Sequence, residues 1–306
     1  MNELNRTNSK SLLALVGSMV IFGTVGIFSR YIPLPSSALA LARALIGAVF
    51  LALLMIATGK KPNFAVIKKN LVQLIISGAC LGANWILFFS ACRKTTVASA
   101  TLSYYLAPTL VVLIAAFVFR EGLTVKKIVC SATAFFGMVL VSGVVGGGAD
   151  GVNAVGILLG LGAAMLYASV VIFNKMMRDI DAYSKTLAQF AVAALTLLPY
   201  VLFAERNPEL SLDGTSVIML AVIGIVHTGI AYALYFGAAP TLSATAVAIY
   251  SYTDPIVAVV LSAIVLKENM SALAVVGAAL IVISSLVIES NISLKNVNKG
   301  RDNNEN

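Results

Sequence analysis

Apolar residues in this chain come in long unbroken stretches separated by short polar connections. Ten such stretches can be delimited, at residues 11–29, 36–58, 71–92, 96–119, 125–145, 153–174, 183–203, 215–237, 243–266 and 271–288. A helix needs about 20 apolar residues to cross the hydrocarbon core of a bilayer, and each stretch is close to that length. The pattern predicts an all-α membrane protein of ten transmembrane helices. A membrane β-barrel is excluded, because its strands alternate apolar with polar positions and are about half as long.

The stretches repeat. Pro108 recurs as Pro255, Glu121 as Glu268, Gly82 as Gly229, Phe89 as Phe236 and Tyr105 as Tyr252, all at an offset of 147 residues. Five predicted helices lie on each side of the run Gly146 to Gly151. Because five is odd, the second copy enters the membrane from the opposite face, which predicts two inverted repeats with substrate sites where they meet. The expected organisation is a cytoplasmic N-terminal segment at 1–10, a first repeat at 11–145, a glycine-rich linker at 146–152, a second repeat at 153–288 and a disordered cytoplasmic tail at 289–306. The first helix of each repeat aligns at a shift of 145, with Ile27 to Arg30 over Ile172 to Lys175. Gly78 with Gly82, and Gly156 with Gly160, form GxxxG pairs that let helices approach closely. Packing within the chain is the first reading of these pairs, and a monomer or weak dimer is expected.

Composition agrees with the pattern: 59% of the 306 residues are hydrophobic and 11% charged. The net charge of +8 looks like a nucleic-acid signal until the cations are placed between the spans. With the N-terminus inside, fifteen lysines and arginines fall on the cytoplasmic side, five outside, and Arg43 within a span. Both termini are therefore predicted to be cytoplasmic, in a multi-pass protein of the inner-membrane kind. The lipid bilayer is the implied partner, and no nucleic acid is. Cys80, Cys92 and Cys130 form no CxxC, and there is one histidine, so neither metal nor disulfide framework is implied. The run 146–151 satisfies GxGxxG, but that fingerprint needs a strand before it and a βαβ unit around it. Both flanks here are membrane spans, and no GxxxxGK[ST] exists, so no cofactor is expected. The first span exceeds the roughly 7 to 15 apolar residues of a signal-peptide core.

Three ionisable residues sit near the middle of spans: Arg43, His227 and Asp254. Insertion of a charge there costs about 2.5 to 3.5 kcal/mol, so each must face the bundle interior, find a partner or line water. Arg43 suits a substrate carboxylate, the plainer role being to hold the bundle by pairing with a carboxylate or helix carbonyls. Asp254 precedes Pro255, whose ring frees carbonyls one turn back. That makes it a candidate proton-coupling group, with a fixed pairing to Arg43 or a tyrosine hydroxyl as the alternative. His227 is a second coupling candidate, although a lone helical histidine is more often hydrogen-bonded packing. Asn84, Trp85 and Phe88 share one face of the third span at helical spacing. Tyr104 and Tyr105 precede Pro108, Ser251 and Tyr252 precede Pro255, and Tyr232 is the mate of Trp85. These residues are read as an aromatic and polar lining for a small-molecule substrate, core packing being the plainer alternative, with Pro108 and Pro255 as hinges or kinks.

The segments Leu41 to Leu45, Tyr104 to Pro108 with Arg120 to Thr124, and the echo Tyr252 to Pro255 with Lys267 and Glu268 resemble the EamA-type members of the drug/metabolite transporter superfamily. The resemblance covers residues 11 to 288 and implies a ten-helix, inverted-repeat carrier of small metabolites, amino acids or related solutes, commonly an exporter. The arginine of the second span and the Pro and Glu of the fourth and ninth carry over directly. Gln189 in place of a second arginine and Asp254 before its proline depart from the family pattern. An exporter or exchanger working by alternating access, with proton coupling, is the expected function, and a non-catalytic one. The alternative is a passive channel or a non-transport membrane protein on the same scaffold.

Overall fold

The computed structural model describes residues 2–120, 122–143, 152–203, 213–242 and 244–302, with side chains from Ser9 to Val287 except at positions 244, 245 and 248. Glu121 and the glycine-rich run 146–151 lie outside the described residues. All regular structure among the described residues is helical: α1 (Asn2–Arg30), α2 (Ser36–Ala57), α3 (Phe64–Lys69), α4 (Leu71–Lys94), α5 (Val97–Tyr104), α6 (Ala107–Val118), α7 (Val125–Val141), α8 (Ala154–Met176), α9 (Ala182–Phe203), α10 (Gly214–Val222), a π turn (Ile223–Ile230), α11 (Ala231–Ala238), α12 (Ala244–Ser251), α13 (Thr253–Val265) and α14 (Ala272–Asp302).

Seven helical spans are long and apolar enough to cross a bilayer, and two shorter apolar ones, Ile249–Val265 and Ala272–Val287, accompany them. Each of the ten predicted stretches carries helix among the described residues, and one of those helices, α7, is shorter than expected. In the predicted 125–145 span, α7 starts only after the Thr124 cap and stops at Val141, before Gly143 with φ 71°. The stretch 243–266 is interrupted at Tyr252, as 96–119 is at Tyr105. The last helix departs the other way: its backbone continues to Asp302 through the segment expected to be disordered. Extending a formed helix costs far less than nucleating one, so a polar sequence follows the span it is attached to.

The breaks are where the prolines put them. Pro108 and Pro255 stand in the first turns of α6 and α13, where a missing N–H has no partner to lose. The preceding helices therefore end at Tyr104 and Ser251, positions related by the 147 shift. The same shift relates two left-handed residues, Arg120 with φ 53° and Lys267 with φ 54°. Neither is glycine, so each turn is held by its surroundings at a cost of roughly 1 to 2 kcal/mol.

The two halves interleave. Helix α4 packs on α8 and α9, while its mates in the second half, the π turn and α11, pack on α1 and α2. Helices α5 and α6 contact α8, and α12 and α13 contact α1. Contacts of α2 with α9 and of α7 with α14 map onto themselves. These contacts and their mates exchange under the repeat, as a two-fold relation requires. Glycines set the close approaches: a Cβ on Gly78 would stand 2.6 Å from Val192 of α9, and one on Gly160 2.7 Å from Ser103 of α5. The GxxxG glycines are thus spent on packing inside the chain.

At one end of the bundle a carboxylate joins three helices. Lys267 turns the chain so that Glu268 N–H donates to the Ser262 carbonyl at 3.2 Å. The Glu268 side chain accepts from the Val97 N–H at 2.8 Å, at the N-terminus of α5, and from the Ser262 hydroxyl on α13. Arg30, the last residue of α1, pairs with it at 3.1 Å and also donates to the Thr95 carbonyl at 2.7 Å. The Thr95 hydroxyl accepts from Asn153 N–H at 3.1 Å, tying in the start of α8.

Candidate functional site

Arg43 projects from α2 into the centre of the bundle and is 5% exposed. A buried guanidinium needs both charge compensation and hydrogen-bond acceptors. Its compensation is an aromatic face, with Cζ 4.6 Å from the Trp85 ring centre and 5.9 Å from that of Phe89. Its Nε donates to Thr228 Oγ1 at 3.0 Å. Among the described residues it makes no ion pair. The phenols of Tyr232 and Tyr104 and the Asp254 carboxyl lie within electrostatic reach of it. The pairing with a carboxylate or helix carbonyls, one of the two readings of this arginine, is thus absent among the described residues.

Around this cation the aromatic residues form a connected set. Trp85 leans on Phe190 at 5.5 Å, which meets Tyr232 edge-on at 5.5 Å. Phe88 contacts Tyr104 at 5.1 Å, and Tyr104 contacts Tyr105 and Tyr167. Tyr105 faces Tyr252 across the two helix breaks at 6.0 Å, and its hydroxyl hydrogen-bonds Asp254. Tyr104, Tyr105, Tyr232 and Asp254 keep partial exposure, whereas Trp85, Phe88 and Tyr252 are buried. A tyrosine hydroxyl is thus the direct partner of Asp254, with Arg43 acting on it at longer range.

His227 sits beside this set rather than in it. Its Nε2 lies 2.7 Å from Thr24 Oγ1 and its Nδ1 3.3 Å from the Val222 carbonyl, with Phe28 edge-on at 5.0 Å. The Thr24 hydroxyl also reaches the Ile21 carbonyl at 2.7 Å. With neutral imidazole, Nδ1–H serves Val222 while the threonine donates to Nε2. With imidazolium, Nε2–H serves the threonine, whose proton turns to Ile21. Both protonation states are satisfied by one hydroxyl rotation.

Two other predicted lining residues point elsewhere. Asn84 donates to the Ala163 carbonyl of α8 at 2.6 Å and is 1% exposed, which makes it an interhelical strut. Ser251 donates to its own helix at Val247, 2.7 Å away. Gln189, which stands where a second arginine would, joins Ser77 and Asn174, both at 2.8 Å, in a separate buried network. Sequence reasoning missed Thr228, Thr24 and Phe190. Each is adjacent to a residue that was singled out or lies in a glycine-rich helix, but hydroxyls and phenylalanines are too common in spans to stand out.

An all-helical chain of two interleaved repeats, with a cation and aromatic rings at their junction, defines a multi-pass membrane protein with a central site. Residues 9–143 and 154–290 each match the EamA-like transporter family. The chain belongs to that family and is a membrane transporter of the drug/metabolite transporter superfamily. It is 32% identical over 261 residues to the uncharacterized transporter YxxF of Bacillus subtilis (strain 168), covering 85% of this chain and 83% of that one. A second relative in the same organism, the uncharacterized transporter YvbV, is 23% identical over 171 residues, 56% of this chain and 55% of its own. One protein of known crystal structure shares the fold with a TM-score of 0.63 at 20% identity, across 94% of this chain and 98% of its own.

Proposed function

We propose that this chain is a secondary active carrier that exports or exchanges small carboxylate-bearing metabolites, amino acids or related solutes, by alternating access. It crosses the inner membrane ten times as two inverted repeats, with both termini cytoplasmic. The observation that carries this reading is Arg43: a buried guanidinium with its terminal nitrogens free of hydrogen bonds among the described residues, resting on Trp85. Such a cation suits a carboxylate that fits between the two halves, while Trp85, Phe88, Tyr104, Tyr105, Tyr232 and Tyr252 enclose the body of the solute. Asp254 is the coupling group, because Arg43, a substrate carboxylate and Asp254 make one cation and two anions in low dielectric. Binding of the second anion then favours a proton on the first. His227 supplies a second proton position at the junction of α1 with the π turn. The breaks at Tyr105 and Tyr252, set by Pro108 and Pro255, are the points about which α5 and α12 swing.

Counterflow in proteoliposomes tests this. Internal substrate accelerates uptake of labelled substrate through a carrier and not through an open channel. Arg43→Ala is expected to abolish flux, and Asp254→Asn to retain exchange while losing response to a proton gradient. Flux unchanged in both variants removes both roles.

A further inference from the structure

The second half departs from the first in backbone as well as in chemistry. Helix α4 is α-helical for 24 residues, but its counterpart is interrupted by the π turn Ile223–Ile230. The mates of His227 and Thr228 in α4 are Cys80 and Leu81. Short π segments within α-helices are rare and concentrate at functional sites. Here the wider turn lets the Thr228 hydroxyl donate to the Ile223 carbonyl, five residues back, at 3.1 Å. That commits its hydrogen, so its lone pairs face α2, where Arg43 Nε donates to it. The Thr228 side chain is held in this pose. Its methyl packs against Gly47, one turn along α2 from Arg43, where any added Cβ would collide with it. Gly224 and Gly229 bring the π turn against Ile46 and Phe50 of the same helix, and a Cβ on Gly229 would stand 2.5 Å from the Phe50 ring.

We infer that Thr228 is a positioning residue that fixes which edge of the Arg43 guanidinium meets the substrate, and so selects a planar oxyanion engaged end-on. A guanidinium has a side edge, formed by Nε and one Nη, and an end formed by both Nη atoms. Thr228 occupies Nε and closes the side edge, while the Trp85 ring lies against the guanidinium. The end pair is left, and its parallel N–H bonds match the two oxygens of a carboxylate. The inference rests on the carrier reading for the identity of the bound group, and on this geometry alone for the orienting role.

Trp85 is the only tryptophan in the chain, so its fluorescence reports the cation beside it. The purified full chain is compared with Thr228→Val, Thr228→Ser and Arg43→Gln, reading Trp85 emission alone and during titration with sodium benzoate as a minimal carboxylate probe. Arg43→Gln defines the emission of the indole without its cation. Thr228→Val is expected to move at least halfway to it and to weaken benzoate binding about tenfold, the size of one lost hydrogen bond to a charged group. Thr228→Ser, which keeps the hydroxyl, stays with the wild type in both readouts. The inference is overturned if Thr228→Val matches the wild type in both, even with a lowered melting temperature, or if Thr228→Ser behaves as the valine variant. If benzoate moves no spectrum while the valine and serine variants still differ, selection of a carboxylate falls and the orienting role stands. Thr228→Ala, which introduces no new contact, replaces the valine variant if that chain is not monodisperse.

Discussion

Removing the Glu268 side chain should loosen one end of the bundle measurably. In Glu268→Ala the Val97 N–H and the Ser262 hydroxyl lose a charged acceptor, and Arg30 loses its ion pair. Hydrogen bonds to charged groups contribute about 1.5 to 3 kcal/mol each. The ion pair is discounted to roughly 0.2 to 1 kcal/mol because the Arg30 side chain is 33% exposed. Ala98 N–H, at 3.5 Å, adds little. Desolvation of the carboxylate offsets part of the sum, leaving an expected loss of about 3 kcal/mol, or more than a hundredfold in the unfolding equilibrium. Glu268→Gln keeps one acceptor oxygen for Val97 and Ser262 and gives up the charge and the acceptor that faces Arg30, so about 1 kcal/mol is expected. The assay is denaturing-detergent unfolding in mixed micelles followed by Trp85 emission, run as a double-mutant cycle with Arg30→Ala. A loss under about 0.5 kcal/mol for Glu268→Ala, or strict additivity with Arg30→Ala, would refute the argument that one carboxylate joins these helix ends.

Gly23→Ala is expected to force α1 off α13, because the new Cβ would stand 2.5 Å from the Asp254 carbonyl and 2.8 Å from Val257. Gly17→Ala, with nothing within 4 Å of its Cβ, is the control, and the two should differ clearly in unfolding midpoint. Asn84→Ala removes the side-chain donor to the buried Ala163 carbonyl, which keeps its bond within α8, for an expected loss of about 1 kcal/mol in the same assay. Asp213 caps α10, and the Ser216 hydroxyl and N–H hold its carboxyl below the usual carboxylate range. A lowered folded-state pKa stabilises above the unfolded value and loses that contribution as pH falls through the folded one. The wild type should therefore lose stability relative to Asp213→Asn as pH drops below about 4, with a flat difference above pH 6.

Much of this architecture is legible in the chain because its signals are collective. A repeated apolar length marks a span whatever residues compose it, and Pro108 and Pro255 locate the breaks because a missing N–H has one tolerable place in a helix. Arg43, Trp85, Tyr104, Tyr105, Tyr232, Tyr252 and Asp254 stand out by charge or ring, and the fold brings them together. The π turn leaves no such trace, since one extra residue per turn changes no composition and little periodicity. Thr228 and Thr24 were hidden with it, because a hydroxyl acquires a role only from what stands opposite. Periodicity placed Asn84 on the face of Trp85, yet it cannot tell a face that meets the centre from one that meets α8. Ser251 satisfied its own backbone instead, an option open to every serine in a span.

The interleaving of α4 with α8 and α9, and of α1 with α11 and α13, bears on how the molecule is made. As the ribosome releases the first half, α1, α2 and α4 enter the bilayer with their principal partners still unsynthesised. They must wait without those partners, with Arg43 lacking the threonine that later holds it. Assembly is then a closing event triggered by the second half, and continuity of the chain is not what holds the halves together. Two separately encoded halves, produced in one cell, have every surface they need to find each other, whereas either alone presents unfilled glycine grooves, and the first an Arg43 without its threonine, to the quality-control machinery.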